Sequence, residues 1–189
     1  MSRIAAIAPQ DAPDAARPLL EGVHAKIGAV PNLFRVLGNA PAALAGYLDF
    51  SAALTRGGFS ARMREQIALT VAESNQCGYC LSAHTFVGEK LGLTAGEIAD
   101  ARHATATNAR LDAILKLARG IVVSRGEISD EEYEHFRIAG LSDADIIETV
   151  ANVALNIFSN YTNHLARTVV DFPEVKPGNG YLAPACACD

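Results

Sequence analysis

Two cysteines three residues apart, followed by a histidine, are the side chains of this sequence best placed to do chemistry. They lie in the run Cys77-Gly78-Tyr79-Cys80-Leu81-Ser82-Ala83-His84. Side chains three and four apart share one face of an α-helix. A helix here therefore turns Cys77, Cys80 and His84 to the same side. Cβ atoms at that spacing stand on the order of 5–6 Å apart, whereas a disulfide wants about 4 Å. A modest local adjustment closes the bond. The ring it closes is tiny and adds little stability, so the use of such a bond lies in opening and closing it.

Acidity is the second requirement. A helix N-terminus favours a thiolate, and Asn75 as the N-cap places Cys77 near the second helical position, with Cys80 about one turn further in. On that argument alone Cys77 is the more acidic thiol. His84, four residues past Cys80, can accept its proton or stabilise its anion. Glu65, on the preceding helix, is the carboxylate expected to orient the imidazole or relay a proton. Glu73, four residues before Cys77, competes for that task.

Zinc is the main rival chemistry for Cys-x-x-Cys. A structural zinc site wants four ligands and usually a second matched pair, which only Cys186-Ala187-Cys188 near the C-terminus could supply. Thiol redox chemistry without a metal or cofactor is the favoured reading, and two inert buried cysteines are the third. His24, His103 and His135 read as surface residues. His164 belongs to the polar cluster Asn160-Tyr161-Thr162-Asn163-His164, which either lines the cavity opposite the cysteines or, the favoured reading, satisfies itself at a join between helices.

The elements that must position these residues are helical. Thr94-Ala95-Gly96-Glu97 and Ser129-Asp130-Glu131-Glu132 are capping boxes, and Ser142-Asp143-Ala144-Asp145 is a weaker one. Gly126 and Gly140 are expected stops. Ile121-Val122-Val123 continues the helical spacing of Leu111, Leu115 and Ala118. The pattern predicts helices near 13–27, 41–55, 61–74, 77–91, 94–103, 108–125, 129–139, 142–158 and 160–170. Pro31 disfavours helix at Val30, so Val30 to Phe34 is expected to be a tight turn. From Phe172 onward an extended arm is expected.

The chain is read as one all-α domain over 1–189, with a redox core at about 59–91, a second half at about 141–171 and a tail at 172–189. A shift of 82 residues lays Cys77 on Ser159 and Cys80 on Thr162, which fits a degenerate internal duplication whose second copy lacks thiols.

Half of the 189 residues are hydrophobic and 20% are charged, ample material for a core. The formal charge of −5 speaks against nucleic acid or an anionic membrane as partner. Pro9 arrives too soon for a signal-peptide core, and no apolar run approaches the roughly 18–20 residues of a spanning helix. A cytoplasmic location is expected, where paired cysteines point to redox or metal chemistry more than to structural disulfides.

Glu65, Cys77, Cys80 and His84, within Arg64-Glu65-Gln66-Ile67-Ala68-Leu69 and Cys77 to His84, resemble the core of the alkylhydroperoxidase D (AhpD-like) / carboxymuconolactone decarboxylase family. The glutamate stands twelve residues before the first cysteine, as in the peroxidase branch. Pro31-Asn32-Leu33-Phe34, Asn160-Tyr161 and Asp171-Phe172-Pro173 resemble its peroxidase-related subgroup, so the similarity runs from about residue 20 to 173. The resemblance implies an AhpD-like helical bundle, a homo-oligomer, and reduction of hydroperoxides. It implies that Cys80 is peroxidatic and Cys77 resolving, with Glu65 and His84 as the proton relay. The reductant it implies is an external dithiol, dihydrolipoyl- or thioredoxin-like. The best-studied pattern has histidine immediately before the second cysteine, where this sequence has Tyr79. The alternatives are non-peroxidatic thiol–disulfide exchange or redox sensing, a structural oligomer with incidental cysteines, and lactone decarboxylation, whose branch generally lacks the cysteine pair.

Overall fold

Apolar residues on every side of a helix demand a central place for it, and the run Ile67-Ala68-Leu69-Thr70-Val71-Ala72 makes that demand here. The computed structural model describes residues 2–178. Among them are nine α-helices, one short 3-10 turn and no strand. The helices are α1 (Arg17–Ile27), α2 (Asn32–Leu37), α3 (Pro41–Leu54), α4 (Ala61–Ser74), α5 (Gly78–Lys90), α6 (Ala95–Arg102), α7 (Ala109–Ser124), α8 (Asp130–Ile138) and α9 (Asp143–Ala166). Helix α4 is buried from Gln66 to Glu73 and packs against α5, α6, α7 and α9.

The expected caps are in place. Thr94 with Glu97, Ser129 with Glu132 and Ser142 with Asp145 each form a reciprocal capping box, and such caps are worth about 1 kcal/mol apiece. Helix α7 carries Ile121 to Val123 to its end and stops at Arg125 and Gly126, both at positive φ. The all-α expectation holds.

Three boundaries differ from the sequence reading. Helix α1 begins only at Arg17, and the expected turn after Pro31 becomes the short helix α2. The third difference matters most: the expected helices 142–158 and 160–170 are one unbroken helix, α9. The polar run from Asn160 does not break it because Asn160 and Asn163 are buried against the cysteine segment and find partners there. Ser159 and Thr162 return their hydroxyls to the helix's own carbonyls. At the position that the 82-residue shift sets against the junction of α4 and α5, α9 runs straight through.

That junction is tight. Gln76 adopts a left-handed φ of 57°, the Gln76 N–H donates to the Glu73 carbonyl at 3.0 Å and the Cys77 N–H to the Ala72 carbonyl at 2.8 Å. This is a Schellman closure, made without the usual glycine. It terminates α4 at Asn75 and delivers Cys77 directly as the N-cap of α5.

The arm after Asp171 is strapped across the start of α5. Phe172 packs edge-on to Tyr79 at a centroid distance of 5.8 Å. The Val175 N–H donates to Ser82 Oγ at 2.9 Å, and the Gly178 N–H donates to Glu73 Oε1 at 2.6 Å. Arg102 ties the strap down, donating to Glu73 Oε2 at 2.7 Å and to the Lys176 carbonyl at 2.9 Å. Arg102→Ala is expected to lower the unfolding free energy by about 1–3 kcal/mol in a urea titration, less than for a fully buried pair because Arg102 keeps some solvent. An unchanged midpoint would show that the strap is held by Phe172, Val175 and Gly178 without help from Arg102.

Candidate active site

Cys77 and Cys80 face each other across the first turn of α5, with Cys77 Sγ donating to Cys80 Sγ at 2.7 Å. Both are free thiols, 1% and 2% exposed. The Cys80 N–H also donates to Cys77 Sγ at 3.4 Å, the N-cap bond of the helix. Asn75, expected to be that N-cap, instead closes α4. The expectation that puts Cys77 at the second helical position is therefore corrected: Cys77 is the cap and Cys80 the third residue inside.

One turn on, His84 Nδ1 meets Glu65 Oε2 of α4 at 2.8 Å, both side chains partly buried. From α9, the Asn163 amide donates to Cys80 Sγ at 3.3 Å. Glu73 takes no part. Its carboxylate is spent on Arg102 and the strap.

These contacts divide the acidity between the thiols. Burial alone would push the Cys80 thiol up. The hydrogen bond from Cys77, the charge of His84 and the amides of Asn163 and Asn160 overcome it and bring Cys80 from 9.0 down to about 7. Cys77 moves the other way, because it is the partner that keeps its proton for Cys80 and because it is buried. Burial works against a charged His84, but the Glu65 carboxylate, by its charge and its hydrogen bond, holds the imidazole above its ordinary 6.5. The dipole argument that favours Cys77 as the acidic thiol is thus reversed by side-chain contacts.

Cys80, His84, Glu65 and Ser159 line a cavity of about 180 Å³ whose other walls are apolar and aromatic side chains that include Leu33, Phe34, Tyr47, Phe86 and Phe172. A second cavity of about 180 Å³ reaches Glu65 and His84 from another side and is more polar, with Ser51, Arg64, Asn152 and Asn156 in its wall. The Glu65–His84 pair stands between the two. Tyr79 is buried, accepts the Leu33 N–H at 3.0 Å and so fastens α5 to α2. Among the described residues no group of three or more His, Cys, Asp or Glu is disposed to hold a metal ion.

Residues 41–130 match the model of the carboxymuconolactone decarboxylase family. Over that segment the chain is similar to the family. No curated protein matches the sequence. Solved structures do. An uncharacterized peroxidase-related protein with the alkylhydroperoxidase AhpD core, from Ralstonia eutropha JMP134, is 27% identical with a TM-score of 0.77, over 90% of this chain and 92% of that one. A peroxidase-related protein from Silicibacter sp. TM1040 is 22% identical with a TM-score of 0.75, over 88% and 89%. The debrominase Bmp8, as a cysteine-to-alanine variant in complex with 2,3,4-tribromopyrrole, is 18% identical with a TM-score of 0.76, over 90% and 92%. These likenesses show an AhpD-like helical fold, and the first of them is to a protein named as peroxidase-related.

Of the residues singled out by sequence, the structure brings Glu65, Cys77, Cys80 and His84 together. His24, His103, His135 and His164 are exposed. Cys186 and Cys188 lie outside the described residues. Sequence reasoning passes over Tyr47, and it takes Asn160 and Asn163 only as members of the polar cluster with His164, with a self-satisfied helix join as the favoured reading. The asparagines carry a readable signal: Asn152, Asn156, Asn160 and Asn163 recur at helical spacing, and all four are buried on one face of α9.

Proposed function

We propose that this protein reduces hydroperoxides with the Cys77–Cys80 pair at the expense of an external dithiol. The carrying observation is a thiol of lowered pKa, Cys80, at the edge of an apolar cavity, with a second thiol 2.7 Å behind it. The Cys80 thiolate attacks the terminal peroxide oxygen; the S–O bond forms as the O–O bond breaks. The departing alkoxide takes a proton from the His84 imidazolium and leaves as an alcohol. The Cys77 sulfur then attacks the sulfenic sulfur, the S–S bond forms, and the hydroxyl departs with a proton as water. A dihydrolipoyl- or thioredoxin-like dithiol reduces the disulfide and is itself oxidised. Two electrons pass from dithiol to peroxide.

The test is peroxide consumption with dihydrolipoamide, followed by peptide mass spectrometry. Stoichiometric peroxide should remove two hydrogens from the peptide holding Cys77 and Cys80, and dithiol should sustain turnover. Both thiols remaining alkylatable after peroxide would sink the proposal. Disulfide formation without sustained turnover would leave a redox sensor or exchange protein.

The aromatic lining of the cavity favours one second reading. The rings of Phe34, Tyr47, Phe86 and Phe172 offer stacking partners for a halogenated ring, and a thiol pair can replace carbon-bound halogen by hydrogen, ending as the same disulfide plus halide. Bromide release from a brominated pyrrole in the presence of dithiol, with no peroxide turnover, would select it.

We propose further that the protein is a homo-oligomer joined through α9. That helix exposes Ile147, Val150, Phe158, Tyr161 and Leu165, at successive spacings of three, eight, three and four residues that keep them on one side. Light scattering should give a multiple of the 19.9 kDa chain, and Ile147→Glu with Leu165→Glu should return it toward one chain. A wild-type monomer at micromolar concentration would refute the assembly. Among the described residues no helix is long and apolar enough to cross a membrane.

A further inference from the structure

The buried face of α9 meets the reactive sulfur with more amide than packing requires. Asn163 is 4% exposed and directs its Nδ2 at Cys80 Sγ from 3.3 Å. Asn160, one turn earlier, is wholly buried. Its Oδ1 accepts from Asn75 Nδ2 at 2.9 Å, which fixes the orientation of the amide plane. That leaves Asn160 Nδ2 buried with no hydrogen-bond partner, and Asn163 Oδ1 likewise. An unpaired buried donor is a standing cost to the fold. A neutral thiol is a poor acceptor and does little to relieve it. An anionic sulfur is a strong acceptor and draws such donors in.

We infer that Asn160 and Asn163 are catalytic residues whose side-chain amides form a donor cradle for the Cys80 sulfur in its thiolate form. Asn163 supplies the donor already in contact, and Asn160 the unspent donor held beside it by Asn75. The inference rests on Cys80 being the attacking sulfur, and it deepens that reading by assigning the thiolate's stabilisation partly to the half of the chain that carries no thiol at the matching positions. The donors lie 80 and 83 residues beyond Cys80 in sequence and reach it only because α9 runs unbroken past α5. The lowered pKa of Cys80 has both amides among its causes.

The titratable groups facing Cys80 are Cys77, Tyr79 and His84 on α5, Glu65 on α4 and Tyr47 on α3. All five stay unchanged in the variants that test the cradle. The readout is the pH dependence of iodoacetamide alkylation at Cys80 in the fully reduced chain, resolved from the other cysteines by peptide mass spectrometry. Asn163→Leu keeps the volume and removes the donor. It should raise the Cys80 midpoint by about one unit, leaving roughly a fifth of the thiolate at pH 7. Asn163→Asp keeps the shape, exchanges donor for acceptor, and should raise the midpoint further. Asn160→Leu should act in the same direction by a smaller amount. All curves should converge with wild type well above the midpoint. Thermal unfolding accompanies each variant, and the near-isosteric Asn163→Asp reports on the site if Asn163→Leu fails to fold. Unchanged midpoints in the Asn163 variants, with or without a loss of melting temperature, would make these residues packing groups and overturn the cradle. Because alkylation consumes no peroxide, shifted midpoints in a protein that reduces no hydroperoxide would uphold the cradle and reject the peroxidase reading. Unshifted midpoints in an active peroxidase would do the reverse.

Discussion

Cys80→Ser is expected to abolish hydroperoxide reduction, a loss of roughly three orders of magnitude or more, as for removal of other catalytic nucleophiles. A serine hydroxyl in the same place has no accessible anion, whereas Cys80 is brought to about 7 by Cys77, His84 and the α9 amides against the effect of burial. Cys77→Ser should behave differently. It retains a hydroxyl that can still donate to Cys80, so the first attack survives at a comparable rate. No sulfur then stands behind the sulfenic acid, and the reaction stops after one equivalent of peroxide. Rapid-mixing measurement of peroxide loss, with a carbon-nucleophile trap for sulfenic acid, separates the two variants. The burst belongs in Cys77→Ser and the trapped adduct on Cys80. An adduct on Cys77 in the Cys80→Ser chain, formed at the wild-type rate, would exchange the roles of the two thiols.

What could be read before any coordinates was whatever depends on near neighbours. The capping boxes at Thr94, Ser129 and Ser142 are local chemistry, and each caps a helix where expected. The shared face of Cys77, Cys80 and His84 is helix geometry, and Glu65 was within one helical hairpin of them. The errors lie where a distant contact decides. Asn160 to His164 reads as a break because so many polar residues in a helix need a reason, and the reason is a sulfur some 80 residues earlier in the chain. Asn75 reads as an N-cap by residue type. The left-handed turn at Gln76, without a glycine to announce it, moves the helix start to Cys77. That shift changes which thiol is acidic: the cap position leaves Cys77 as donor to its neighbour, and the charge of His84 settles the matter for Cys80.

Glu65→Gln and His84→Gln are expected to slow Cys80 at neutral pH while leaving the fold intact. The chain of causes starts at Glu65, whose carboxylate at 2.8 Å holds His84 protonated above its ordinary 6.5 despite burial. The imidazolium in turn favours the Cys80 thiolate. His84→Gln removes the positive charge outright and should raise the Cys80 midpoint by about 1–2 units, leaving roughly a fifth to a fiftieth of the thiolate at pH 7. Glu65→Gln acts one step back. The imidazole then loses its proton at lower pH, so the loss of reactivity begins earlier on the alkaline side of that value and is smaller overall. Both deficits should vanish well above pH 9, where an unassisted thiol ionises. Stability carries its own sign. The folded value of His84 is raised, so its protonation stabilises the fold fully below pH 6.5 and ceases to do so as pH rises through the folded value. Cys80 has a lowered folded value, and its ionisation stabilises fully above about pH 9, a contribution lost as pH falls through about 7. The stability difference between wild type and Glu65→Gln should therefore be widest on the acid side and the reactivity difference widest near neutrality. Alkylation rate at Cys80 and chemical unfolding, each measured across pH, distinguish the two. Coincident pH–rate curves for wild type and both variants would show that this pair does not tune the thiol, and an equally large loss of stability at every pH would assign it to the core.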